Sequence, residues 1–435
     1  MDYLDLSQPA RLAGPMYNRG SGRRGARPAG KGLGMSSLTK KIVVVLSVVV
    51  FGFVAVGYVR GRSSDDKAFR ALTVYGEVLD RIQREYVDEP NLHQVTSGAL
   101  HGLFDSLDPQ SSYLSPLEYK DYEEKTAAPA KAESGLALTK RFGYISVISA
   151  LPDSPGQKAG LQIGDVLEKI AGFTTGQMGI EQAQLLLSGD PGTVVKLSVI
   201  RRGKAEPQDM EITLAKLAMP KLVDDKLEGD IAYVHLSEFQ PGAAKQLRDE
   251  LAQLEHQGAH KLILDLRACA LGDDAEGISA AQLFLSSGTI TTLKGQTVSP
   301  VVSAADPAKV VWTQPLTVLM DTSTAGPAEI LAAAIADNHR GETVGLRTYG
   351  TASQQKLIQL EDGSALILTL ANYYTPGGKE IPVDGVTPTR EVRPAIEDVT
   401  SADEVLPPPS SSPSDPDVQK ALEILQDPNA LRKAA

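Results

Sequence analysis

LTVLMDTSTAGPAEILAAAIADNHRGETVGLRTYGT, Leu316 to Thr351, decides how the rest of the chain is read. An apolar run of strand length, Leu316 to Met320, ends in Asp321, Thr322 and Ser323. Gly326 and Pro327 then open an Ala-rich helix, with Pro at a first-turn position where its missing N–H costs nothing. A second strand, Glu342 to Arg347, ends in Tyr349-Gly350-Thr351. A strand turning sharply into a helix can display a nucleophile, because N–H groups at the helix start can hold an oxyanion. Ser323 and Thr324 precede that helix, where Ser and Thr usually act as caps.

Around this stretch lies the largest block of the chain, residues 216–400. Ile231 to Phe239 and Lys261 to Arg267 read as strands, with a helix from Ala243 to Leu254 between them. A parallel pair with a crossover helix is the natural assembly. Gly277 to Leu285 reads as a further helix. Lys356 to Leu360 and Ser364 to Leu370 read as a hairpin around Glu361-Asp362-Gly363. The spacing implies an α/β core with a mixed sheet, within a multidomain chain.

Ahead of it, residues 134–215 alternate short strands with glycine turns and one short helix, Ile180 to Leu187. Residues 126–133 read as a linker. Residues 65–125 read as a helical domain, with Leu72, Tyr75, Leu79, Ile82 and Tyr86 in one apolar stripe that predicts core. Behind the core, residues 401–435 read as a Ser/Pro/Asp-rich linker and an amphipathic helix, Val418 to Leu431, suited to docking or dimer formation.

Residues 1–41 carry eight Lys or Arg against two Asp and cannot build a core. Met35 is an alternative start. Ile42 to Val59 is 18 residues without a charge, flanked by Lys40-Lys41 and Arg60. That is long enough to span a bilayer. The basic excess before it places the N-terminus inside and the bulk outside, facing the periplasm or its equivalent. An uncleaved membrane anchor is favoured over a cleaved signal, for which Ala55-Val56-Gly57 would be a passable site.

A formal charge of −11 with no basic-aromatic cluster argues against nucleic-acid binding. The lone cysteine, Cys269, excludes an intrachain disulfide and reads as a core residue. His256 and His260 lack the frame of a zinc helix, and Asp273, Asp274 and Glu276 lack the spacing of a calcium loop. No metal and no cofactor are expected.

Several runs carry a family resemblance. Leu107-Asp108-Pro109, Ser111 or Ser112, and Tyr113-Leu114 stand before Leu151 to Gly172, whose Ser-Pro-x-x-Lys-Ala-Gly-Leu-x-x-Gly-Asp pattern resembles a PDZ domain. Leu264 to Arg267, Ala328-Glu329-Ile330, Thr348-Tyr349-Gly350 and Tyr373 to Gly378 follow in the core. From about residue 70 to about 395 the chain resembles the carboxyl-terminal processing peptidases, also called tail-specific proteases.

The resemblance implies a PDZ domain that takes a peptide C-terminus as an added strand, its carboxylate held by Gly135-Leu136-Ala137-Leu138. It also implies a serine peptidase in which a neutral lysine activates the serine. Aligned on Glu329, however, the nucleophile position is Ala328 and the base position is Thr351. The family's Asn-Pro-Gly-Gly oxyanion turn is replaced after Arg267, with Leu271 in place of a glycine. Neither Ala nor Thr can perform the missing steps, so no catalytic residue is expected. Ser323, Thr324, Ser353 and Lys356 are the nearby substitutes for a rebuilt site.

The resulting expectation is an exported, membrane-anchored pseudopeptidase. It would bind C-terminal or extended tails as an adaptor or regulator, with an active paralogous peptidase and a second copy of itself as candidate partners. The alternative is an active tail-specific endopeptidase with an atypical dyad.

Overall fold

The computed structural model describes residues 65–176, 178–204, 206–218, 222–226, 229–393 and 409–427. They fall into two units, one ending at Pro90 and one beginning at Asn91. The described part of the first unit is built on the helix Asp65–Glu85. Its apolar stripe is not core. Leu72, Tyr75 and Tyr86 are exposed, and only Leu79 and Ile82 are half-buried. Helical spacing fixes which residues share a face, not whether another element covers it.

The helical domain expected over 65–125 is therefore divided. The helices Leu92–Asp105 and Pro116–Thr126 belong to the second unit. Between them Ser112–Leu114 is a strand, paired antiparallel with Ala365–Tyr374. Leu114 is buried there with Tyr119, Ala365 and Ile367. Ser115 and Glu118 then close a capping box at the next helix.

Five antiparallel strands follow, Leu136–Arg141, Tyr144–Ala150, Val166–Ile170, Val194–Ile200 and Gln208–Thr213, neighbours in that order. Leu138, Ile145, Leu167, Val199 and Ile212 fill their core. Leu136–Arg141 is an edge strand, and the helix Ile180–Leu186 packs beside it.

The core sheet has six strands in the order Val223–Lys226, Ile231–His235, Lys261–Asp265, Leu316–Met320, Glu342–Gly345 and Arg390–Glu391. All its pairs are parallel except the first, so the sheet is mixed. Period-two alternation splits its side chains. Ala232, Val234, Leu262, Leu264, Val318 and Met320 face the helices Ala243–His256 and Pro327–Asp337. Ile231, Tyr233, Ile263, Leu319 and Val344 face the helix Pro416–Gln426. Burial on both faces explains the near-continuous apolar runs of these strands.

That last helix is shorter than the expected 418–431. Its apolar residues Val418, Ala421, Leu422 and Leu425 are covered by the chain's own sheet rather than left free to dock elsewhere. A second sheet joins the hairpin Ser353–Gln359 and Ala365–Tyr374 to Thr289–Lys294 and Val301–Ala304. The run 42–59 lies outside the described residues. Among the described residues no helix is long and apolar enough to cross a membrane.

Candidate functional site

The strand Leu316–Met320 ends at Asp321, whose Oδ1 accepts the Ser323 N–H at 2.9 Å and the Ser323 hydroxyl at 2.8 Å. Burial lifts the Asp321 carboxyl above its usual range, opposed by these Ser323 bonds. The Thr324 hydroxyl donates to the Leu266 carbonyl at 2.9 Å. Both hydroxyl residues are wholly buried and close the turn. They are not the helix cap. The N-cap is Gly326, at φ +57°, ψ −120°, a backbone conformation that an L side chain rarely adopts.

The helix Pro327–Asp337 begins around one carboxylate. Glu329 accepts from the Gly326 N–H at 2.9 Å, the Thr348 hydroxyl at 2.5 Å, the Gly350 N–H at 2.6 Å and the Thr351 N–H at 2.8 Å. Burial raises its pKa, and these four donors oppose the rise. The carboxylate thereby ties the segment 348–351 to the helix start. Ala328 is wholly buried beside it. Thr351 is half-buried, its Oγ1 3.8 Å from where a Cβ on Gly326 would stand. Ala328 thus precedes in sequence the carboxylate to which the Thr351 N–H is bonded.

A helix start can hold an oxyanion only with unpaired N–H groups. Here Pro327 has none. The N–H groups of Gly326, Ala328 and Glu329 go to Glu329 Oε2, the Ala325 carbonyl at 3.3 Å and the Gly326 carbonyl at 3.0 Å. Of the possible substitutes, Ser353 donates to the Thr351 carbonyl at 3.0 Å. Lys356 is exposed, on the strand Ser353–Gln359 opposite Leu368.

The loop after the strand Lys261–Asp265 is the third part. Ala268 has φ +58°, strained for a residue with a Cβ. Cys269 is buried, its thiol pushed well up by that burial, and its carbonyl accepts the Ala325 N–H at 2.9 Å. Leu271 is half-buried and packs, with Ala270 and Tyr349, against the cluster of Ala137, Ile148 and Ala325. That cluster joins the turn at Ala325 to the first two strands of the five-stranded domain.

On that edge, Gly135, Leu136 and Leu138 line a cavity of about 310 Å³ closed by Glu181, Leu185 and Leu187 of the opposite wall. Gly135 has φ +72°, and a Cβ there would lie 2.4 Å from Ser154 Cβ, so only glycine allows this approach. Ala137 faces the other way, toward Ile148 and Ala325. Strand alternation divides the expected peptide loop, with the two leucines on the cavity side and the alanine toward Ile148 and Ala325.

A curated carboxyl-terminal-processing protease of Synechocystis is 31% identical over 355 residues, 79% of this chain and 80% of that protein. The chain belongs to the carboxyl-terminal processing proteases. A carboxy-terminal-processing protease of Bartonella bacilliformis is 30% identical over 331 residues, 75% of this chain and 76% of its own. The model of peptidase family S41 matches residues 230–392, and that of the PDZ domain residues 146–201. Among solved structures, the photosystem II D1 C-terminal processing protease has the same fold. Its TM-score is 0.60 at 23% identity, covering 83% of this chain and 98% of that one.

Within this family frame, two features escape sequence reading. Glu329 was visible as a helix-start acid, but its partners Thr348, Gly350 and Thr351 come from a separate strand end. Arg267 looked only like part of a motif. Its guanidinium holds the wholly buried Asp265 through Nε at 3.0 Å and Nη2 at 2.6 Å. It also reaches Asp415 at 2.8 Å and Asp417 at 3.1 Å, pinning the last helix. These carboxylates hold Arg267 well above its usual pKa despite its burial. Asp415 and Asp417 could have been suspected only as first-turn acids.

Proposed function

We propose that this chain is a tail-binding member of the carboxyl-terminal processing protease family that does not cut what it binds. The observation carrying this is the helix start at Ala328. It offers no hydroxyl and no unpaired first-turn N–H, and the base position is Thr351, bonded through its N–H to Glu329, rather than an amine. The relatives are named as proteases, so proteolysis is the family's work, and the absence of cutting is particular to this chain.

A rebuilt dyad gains no support from the geometry. The Ser323 hydroxyl is wholly buried and bonded to Asp321, while Lys356 is exposed on another element. The PDZ cavity supports tail capture, since its edge strand can accept a peptide as a further strand. The charge-free run 42–59 supports an exported chain held at the membrane, with its bulk outside. In that setting it would present tails to an active relative or compete with one.

The test is incubation of the purified chain with unstructured proteins ending in apolar residues. Saturable binding without cleavage is expected. Cleavage that disappears in Ser323→Ala or Lys356→Ala would establish an atypical protease instead. Failure to bind any tail would leave only a structural role. Membrane fractionation with protease accessibility tests the anchor, and release of the chain into the soluble exported fraction would refute it.

A further inference from the structure

The PDZ cavity carries a charge pattern that the family reading does not supply. Its described lining contains two carboxylates, Glu133 and Glu181, and no Lys, Arg or His. Glu133 is exposed at the rim. Glu181 lies in the first turn of the helix Ile180–Leu186, facing the edge strand. Its Oε2 is inaccessible to solvent and has no hydrogen-bond donor among the described residues. A buried carboxylate oxygen without a donor costs free energy in the empty groove. A ligand that brings a donor removes that cost.

The buried Ser112 hydroxyl and the residue's own N–H approach the carboxyl and favour its charged form, but no cation does. The nearby cations are engaged elsewhere, Lys140 with Asp105 and Lys131 with Asp190. Gln182, next in the helix, accepts the Gly179 N–H at its Oε1 and also reaches Glu118, which closes its own capping box at Ser115. The groups facing Glu181 from the neighbouring elements are Asp108 and Tyr122, with His101 and Glu118 behind them. None of Asp108, Tyr122 or Glu118 brings a positive charge. Burial first, and also the charge of Asp108, push the Glu181 carboxyl up to about 7, against the pull of its own N–H and of the Ser112 hydroxyl. The other end of the cavity is apolar, formed by Leu136, Leu138, Leu185 and Leu271.

We propose that the groove selects tails with an apolar C-terminal residue and a basic side chain a few residues before it, with Glu181 as the partner of that cation. The inference rests on the tail-binding reading above and adds the class of tail. Glu181 is the residue that sets specificity, and Leu271 shapes the apolar end. An apolar side chain at the same place leaves Oε2 unsatisfied, a neutral amide meets it without the charge, and an acidic one repels it.

The test uses the full-length protein and fluorescent ten-residue peptides with a free C-terminal leucine. A single Lys is moved through the five positions before the terminus, and each peptide is compared with its Gln counterpart by anisotropy. At one position the Lys peptide is expected to bind about tenfold tighter, the worth of one partly desolvated charge-assisted contact. Glu181→Gln should bring the pair within about twofold, chiefly by weakening the Lys peptide. The Lys preference should grow from pH 6 to pH 8 as Glu181 ionises, and Glu181→Gln should abolish that trend. Tails that bind with no Lys preference at any position overturn the inference and leave tail binding standing. A Glu181→Gln protein that loses both peptides equally also overturns it, because the residue is then structural. If no tail binds, or amidated tails bind as well as free ones, both readings fail.

Discussion

Arg267→Met keeps most of the aliphatic stem and removes the guanidinium from the junction of sheet and last helix. Asp265, which is 0% exposed, would keep only the Tyr233 hydroxyl at 2.7 Å and the residue-267 N–H at 2.9 Å. Asp415 and Asp417 would lose the one cation paired with them among the described residues. Breaking a buried pair by removing one partner costs about 3–5 kcal/mol, because the remaining charge is stranded. The expected loss is therefore about 4 kcal/mol, a large share of the roughly 5–15 kcal/mol that holds an ordinary domain.

The assay is guanidinium unfolding followed by the emission of Trp312, the chain's single tryptophan, wholly buried in this same core. Adding Asp265→Asn to Arg267→Met should recover more than half of the loss, since no stranded charge remains. Asp265→Asn alone should be milder, because Arg267 keeps Asp415 and Asp417. An Arg267→Met protein within about 1 kcal/mol of wild type would refute the reasoning. So would a double mutant no more stable than the single one.

Three further outcomes are expected. Burial, and the neighbouring Asp415, raise Asp417 from 3.8 to about 6, against the pull of Arg267. A carboxyl raised on folding adds stability that is full below about pH 4 and lost as pH rises through about 6. Asp417→Asn should therefore gain on wild type by up to about 3 kcal/mol between pH 4 and 7, read from unfolding midpoints. A constant difference across that range would count against it. Ala268→Gly should stabilise by about 1 kcal/mol by relieving a left-handed alanine, measured by thermal melting. Ala328→Ser combined with Thr351→Lys should restore little proteolysis. Leu271 still fills the loop, the first-turn N–H groups are still engaged, and one lost oxyanion donor alone costs about 10²–10³-fold. Strong cleavage of an unstructured substrate by that double mutant would show that neither obstacle matters.

Much of the fold was legible because burial leaves local marks. Ile231, Lys261 and Leu316 each begin a run apolar on both faces, which a sheet covered on both sides demands. Glycine turns and alternation marked the five-stranded domain. What was not legible depends on partners far along the chain. Ser112–Leu114 is a strand only because Ala365–Tyr374 lies beside it. The stripe from Leu72 to Tyr86 announces a face and not its cover, and the last helix announced a free face that the sheet in fact occupies.

The site divides in the same way. Ala328, Thr351 and Leu271 could be located by counting from Glu329 and Arg267. The satisfied helix start and the split of Leu136 and Leu138 from Ala137 could not. Each depends on where a backbone N–H or a strand face ends up in three dimensions. The solitary carboxylate of Glu181 left no signal beyond a glutamate near a helix start.

Intact-mass spectrometry tests the claim of binding without cutting most directly. An unstructured protein with a free apolar C-terminus is incubated with the full chain at a concentration where anisotropy reports saturation. The mass should stay unchanged through many hours of occupancy. New, shorter C-terminal products that vanish when Ser323 or Lys356 is replaced would contradict it.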